Sequence, residues 1–525
     1  MTRTVSRHAF WIFATALGCG PAVGTTPEGG GDGTEGGQGP DAPGDTDDDG
    51  ADTDGFGSET GTPEDEPPPP ATIRVLYSTE NGLMARTAVD GVVGDAELVA
   101  EGSWWLVNIG DETIARQNGT ALVGPWSSAV LSPRTVECPQ TEDCSVYYSG
   151  GVLIGSESQV ELMGSDYYVF DFDEAGESSP RLVYGAVDGR VQRVVEGGYL
   201  AVVAPREAPS ELLRVPVDEE TSPESLLALG PNDVSWSTPT SLFRGTEDDR
   251  GLHVDLKMID VSADEPTVRD VPLLPGATGH ALSTVREAPQ GQGLAVVQML
   301  EAPQMAWIPY GQGTLGAAIQ LSTGAASGGL SLSANPGGGT FSPDGEWFSF
   351  TSRPDPDGPN SSYLVRLADG PSGEPVSLGQ GTWGVEFTQD GSFAYFVEAD
   401  GEASSIARAP LEGGVVGPIE VVFEGPPLGL FSVSEDGSTV AATGLDDDRI
   451  WVVDLASEVP VSAEIDGCGD ANIFFTLASD GSLLSCAWDD ENGGGQRHAI
   501  LGVRSGERIV LEGAESTRLL TVARP

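Results

Sequence analysis

Four segments of this chain align without gaps through an Asp-Gly pair, and no other feature limits its fold as strongly. They read Phe341-Ser-Pro-Asp344-Gly345, Phe387-Thr-Gln-Asp390-Gly391, Val433-Ser-Glu-Asp436-Gly437 and Leu477-Ala-Ser-Asp480-Gly481. The aspartates are spaced 46, 46 and 44 residues apart. A large apolar residue stands three positions before each Asp, and Ser or Glu follows each Gly. An apolar stretch comes next: WFSF, FAYF, TVAA and LLSC. After a polar loop a second strand pattern follows, as in Ile450-Trp-Val-Val-Asp-Leu455.

Asp-Gly favours a tight hairpin turn, because Gly tolerates positive φ and Asp bonds nearby backbone. Apolar residues on both sides of that turn read as two neighbouring strands of one small sheet. A sheet built from about 45 residues cannot bury both of its faces alone. Stacking such sheets radially buries them, and closing the ring leaves only short, protected edges. Composition agrees. Gly supplies 72 residues and Pro 38, which suits turn-rich β structure, and Lys257 is the only lysine, so long Glu/Lys helical faces are missing.

At these residues the chain resembles the TolB-type, WD-repeat-like propeller family, whose blades carry a similar F-S-P-D-G turn between their first two strands. Phe341 to Gly345 matches it outright. The other copies keep the apolar residue and the Asp-Gly. The resemblance implies an all-β fold, a single β-propeller of four-stranded blades over 71–525, with its clearest repeats at 324–512.

Upstream the repeat is degraded. Gly198–Ala204 with Glu211–Val217, Thr240–Phe243 with Leu252–Val261, and Leu294–Leu300 with Gln304–Pro309 keep the strand-loop-strand layout. Ile73–Tyr77 and Leu83–Val89 read as inner or middle strands of the first unit. The last apolar run, Arg518–Val522, has no turn after it and is placed to complete that first unit, locking the ring. Dividing 72–525 by the repeat gives more units than the usual four to eight. An insertion is therefore expected at 102–190, and eight blades are favoured, with seven as the alternative.

The N-terminus reads as an address. Arg3 and Arg7 precede the apolar run Ala9 to Gly18, too short to span a bilayer and shaped like a secretory signal. Ala16-Leu17-Gly18-Cys19 resembles the bacterial lipoprotein signal, in which cleavage leaves a lipidated cysteine first. The expectation is a signal peptide over 1–18 and lipidation at Cys19, with ordinary cleavage to a soluble protein as the alternative. Residues 19–70 then form a Gly-, Asp- and Pro-rich tether that cannot bury enough apolar surface to fold. An exported protein held in the bacterial cell envelope follows, at the outer membrane and as a monomer. The remaining cysteines, Cys138, Cys144, Cys468 and Cys486, suit disulfides outside the cytoplasm, with one bridge within each close couple as the simplest of three connectivities.

Charge excludes one partner class. The formal net charge is −56, and residues 71–525 carry 67 acids against 23 bases. Nucleic acid needs clustered Lys and Arg. Within the tether, Asp45, Asp47 and Asp49 before Gly50 partly match a calcium loop, but Phe56 stands where an EF-hand loop needs Glu. A solvated acidic run is the simpler account, and calcium is the only cofactor with any motif.

No catalytic constellation emerges. Gly311–Gly316 and Gly379–Gly384 satisfy G-x-G-x-x-G, but the second runs straight into a strand, where a dinucleotide site needs a helix. There is no G-x-S-x-G, H-E-x-x-H or Walker loop. His253, His280 and His498 fall in three separate repeats. The leading expectation is therefore a non-enzymatic binding or scaffolding module for an envelope protein or polysaccharide. A carbohydrate hydrolase or lyase using acids near the channel is the alternative, and a calcium-binding surface protein the lesser one.

Overall fold

In the computed structural model, residues 72–521 are described with several breaks, the longest at 327–338. Strands account for the regular structure throughout, and every strand pair is antiparallel. Among the described residues there are nine hydrogen-bonded sheets, each four or five strands wide except one of seven. The fold is an all-β propeller.

The sheets explain the double-sided apolar strands. Successive side chains of a strand point to opposite faces, and here each face meets a different neighbour. In Phe393–Asp400, Ala394 and Phe396 pack with Trp347 and Leu364 of the preceding sheet. Tyr395 and Val397 pack the other way, against Val440, Ala442 and Trp451 of the following one. The strand Thr439–Gly444 repeats the pattern, with Ala441 turned toward Leu484 and Cys486. Burial on both faces stabilises each large side chain by about 1.5–3 kcal/mol.

The ring closes as the terminal run suggested. The closing strand Ala514–Thr521 pairs with the opening strand Thr72–Thr79, from Ile73 opposite Thr521 to Thr79 opposite Ala514. The sheet so formed takes its first strand from the C-terminal end of the chain. First strands of successive sheets touch in order: Thr340–Phe341, Thr382–Phe387, Leu428–Val433, Phe474–Leu477, Ala514–Thr521 and Trp105–Ile109.

One expectation changes. The stretch 102–190 is not an insertion. It holds the four-stranded sheet from Trp105–Ile109 to Arg134–Glu137 and then strands of the seven-stranded sheet. These sheets lack Asp-Gly turns, so a reading keyed to that turn passes over them. The seven-stranded sheet arises because one 18-residue strand, Ser178–Val195, pairs with Gly164–Phe172 along its first part and with Gly198–Ala204 along its second.

Candidate functional site

The four repeated turns share one geometry. Each Gly N–H donates to the carbonyl three residues back at 2.9 Å, and φ at Gly345, Gly391, Gly437 and Gly481 is 71, 69, 69 and 66°. The carboxylates of Asp344, Asp390, Asp436 and Asp480 accept the N–H two residues on, at 2.9–3.0 Å. Hydroxyls reinforce them: Thr388 donates to Asp390 and Ser434 to Asp436, both at 2.6 Å, while Ser482 serves Asp480. These bonds hold the Asp390 carboxyl below its ordinary range, the Thr388 hydroxyl contributing most. Each loop is four residues long, since Thr388 and Phe393 close one strand pair around 389–392.

The glycines also meet the preceding turn. A Cβ on Gly391 would lie 2.8 Å from Asp344 Oδ2, and one on Gly437 would lie 2.7 Å from Thr388 Cγ2. Gln389 N–H donates to Glu435 O, and Glu435 N–H to Ser479 O, at 2.8 and 2.9 Å. Consecutive turns are thus seated on one another, and the motif that defines the repeat serves the joint between sheets.

The three histidines do not converge on one point. His253 and His280 are brought together by an isolated β-bridge, and both are buried. His280 Nδ1 lies 3.4 Å from the Gln298 side-chain amide, whose oxygen accepts Leu274 N–H and whose nitrogen donates to Pro272 O. Burial, with a smaller push from His253, lowers His280 to about 4, although a bond to the Val271 backbone opposes the shift. His498 is buried elsewhere, 3.1 Å from Thr517 Oγ1 of the closing strand, and burial lowers it too.

One carboxyl departs from this structural pattern. Four residues before the repeat aspartates stand Thr340, Glu386, Ser432 and Thr476, at matching register on four first strands. Three are hydroxyls and one is an acid. Glu386 keeps part of its residue surface open, yet its carboxyl is enclosed: Oε2 accepts Val433 N–H at 2.9 Å, and Ser432 bonds it as well. Burial pushes Glu386 up to about 7, against both of those bonds. A carboxylic acid that titrates near neutrality can donate a proton or hold a ligand by hydrogen bond. The aligned repeats carry the signal that finds it, one acid in a column of hydroxyls.

Gly379–Gly384 is the connection between one sheet and the next, with positive φ at Gly379, Gly381 and Gly384. No helix follows either glycine-rich copy; Gly311 ends the strand Pro303–Gly311, and Thr314–Leu315 pairs back onto it. Cys486 is buried on Leu483–Asp489, and Cys144 begins its strand. Cys19, Asp45, Asp47, Asp49, Cys138 and Cys468 lie outside the described residues. Among the described residues, no group of three or more His, Cys, Asp or Glu is placed to hold a metal ion.

No family profile matches the sequence, and no curated protein matches it. Solved structures do resemble it in chain course. The periplasmic gluconolactonase PpgL of Pseudomonas aeruginosa is 16% identical, over 62% of this chain and 99% of that one, with a TM-score of 0.33. TolB from Acinetobacter baumannii is 15% identical, over 64% and 82%, at 0.28. A eukaryotic initiation factor is 10% identical, over 85% and 98%, at 0.45. These likenesses assign no activity, ligand or partner. What the chain itself provides is a β-propeller whose repeat turns are structural and whose first strands carry one buried acid.

Proposed function

We propose that this chain is a binding or scaffolding module of the bacterial cell envelope, engaging a protein or polysaccharide partner. The observation that carries the reading is Trp105, which begins a first strand and is 65% exposed. An indole held on ordered backbone offers about 150–250 Å² of contact surface. It orders few new torsions on binding, and Trp is over-represented among residues that dominate interfaces. Capture from envelope extracts with the full chain tests it. A defined partner should be retained and lost with Trp105→Ala; equal recovery by both proteins sinks the reading.

The address belongs to the same proposal: export by residues 1–18, lipidation at Cys19, and disulfides at Cys138–Cys144 and Cys468–Cys486. In support, Cys486 is in the disulfide state. Labelling with a radioactive fatty acid should mark the wild type and not Cys19→Ser. Calcium at Asp45, Asp47 and Asp49 remains the lesser reading, and calorimetric titration without saturable heat would remove it.

A second reading, a carbohydrate hydrolase, is favoured by Glu386 alone, because general acids in such chemistry have raised pKa values. Turnover of any glycan in a screen, abolished by Glu386→Gln, would establish it. Unchanged turnover in that variant would exclude Glu386 as the acid.

A further inference from the structure

We propose that Arg518, on the closing strand, is the anchor of a binding site for a small carboxylate carried on an otherwise uncharged ligand. Every residue from Ser516 to Leu520 is half-buried, so water reaches this strand in part. Side chains alternate across it. Thr517 faces His498, and Leu519 packs with the core around Val75. Arg518 takes the other face, directly opposite Leu76, between Ser516 and Leu520. Ser516 is engaged with Ser78 at 2.7 Å, and Leu520 packs beside Leu76 and Leu106. None of these is an acid.

Arg518 forms no hydrogen bond or ion pair with the described residues, and its Nε is buried without a partner. Burial lowers its pKa, and no neighbouring charge offsets that effect. Several other arginines are ion-paired, Arg408 with Glu420 at 2.8 Å, Arg449 with Glu464 at 2.9 Å and Arg269 with Asp260 at 3.3 Å, and the buried Arg74 donates to the Trp126 and Ser128 carbonyls. With 67 acids and 23 bases over 71–525, acids are not scarce. A desolvated cation without a counter-ion is unfavourable, so a site that keeps one is prepared for an anion from outside.

The chemistry of that anion follows from charge and shape. The guanidinium fork fits a carboxylate or phosphate through two parallel bonds. A chain this acidic repels polyanions at long range, which favours a single charge over two. Leu520, half-buried two residues further along the same strand, suits an uncharged ligand body. The site is independent of the partner reading built on Trp105, and either stands without the other.

Calorimetric titration of the full chain with D-glucuronate, D-glucose and inorganic phosphate tests the proposal. Glucuronate should give saturable heat that weakens as salt is raised, and glucose none. Arg518→Met should weaken glucuronate at least tenfold, while Arg518→Lys, which keeps the charge, should lose less. Without ligand, Arg518→Met should melt at or above the wild-type temperature, because it removes a desolvated charge. No saturable heat with glucuronate, or equal binding by Arg518→Met, overturns the site. Phosphate binding more tightly than glucuronate overturns the carboxylate assignment. A lowered melting temperature in both variants, with glucuronate binding unchanged in Arg518→Lys and Arg518→Met, makes the arginine structural and overturns the proposal.

Discussion

The phenol of Tyr395 donates a 2.9 Å hydrogen bond to the carbonyl of Gly437, reaching from one sheet into the turn of the next. Gly437 has φ of 69°, and a Cβ there would lie 2.7 Å from Thr388 Cγ2 and 3.4 Å from the same phenol oxygen. Backbone conformation and the joint between sheets therefore both require glycine. Gly437→Ala should destabilise by about 2–3 kcal/mol, since positive φ alone costs a residue with a Cβ about 1–2 kcal/mol. Tyr395→Phe should cost about 1–2 kcal/mol by leaving a buried carbonyl unpaired. Urea denaturation measures both, and two changes below about 0.5 kcal/mol would refute the seated-turn account.

The closing strand is the second test. Ser78 and Ser516 share a 2.7 Å hydrogen bond across it, and Val75 and Leu76 are fully buried. A chain ending at Gly513 would expose the pairing edge of Thr72–Thr79, and uncovered edges recruit other strands. That truncation should lose its cooperative thermal transition and sediment as aggregates. A monomer with wild-type melting would show that closure contributes nothing.

Legibility in the sequence followed turn chemistry. Asp344, Asp390, Asp436 and Asp480 all bond the N–H two residues on, so the same physics wrote the same letters four times. The closing strand is legible as the apolar run Arg518–Val522. Between about residues 102 and 240 the sheets use other loops, so only fragments such as Gly198–Ala204 and Glu211–Pro216 stand out. The candidate site was harder. Glu386 is one acid among 81, and its chemistry comes from enclosure by Ser432 and Val433 of the next sheet. Arg518 is distinguished by what does not surround it, which no local sequence pattern records.

His280 makes the fold sensitive to acid. Burial lowers its pKa from 6.5 to about 4, so the folded protein holds the ring neutral where the unfolded chain would protonate it. The unfolded state thus binds more protons between those values. The stabilisation is complete above about pH 6.5 and is lost as pH falls toward 4, by up to about 3 kcal/mol at about 1.4 kcal/mol per pH unit. On a Glu386→Gln background, which lacks the opposing titration of that carboxyl, denaturation midpoints should fall between pH 7 and 4. His280→Asn on that background should start lower, having lost its bonding pattern, but decline less steeply. Parallel slopes would assign the acid sensitivity to other groups.

Glu386 tilts the profile the other way. Its pKa is raised from 4.5 to about 7, so the unfolded chain releases this proton at lower pH than the folded protein does. The contribution is complete below about pH 4.5 and is lost as pH rises through 7. Glu386→Gln keeps an acceptor for Val433 N–H and removes the titration. Its melting temperature should therefore gain on the wild type as pH rises from 5 to 8. Across about pH 4.5–6.5 the His280 and Glu386 slopes oppose and largely cancel, so the wild-type profile should be nearly flat there, while Glu386→Gln should rise with pH to about 6.5. Superimposable profiles would mean that the enclosed carboxyl ionises at its ordinary pH, and with them the case for Glu386 as a neutral acid in the ring would fall.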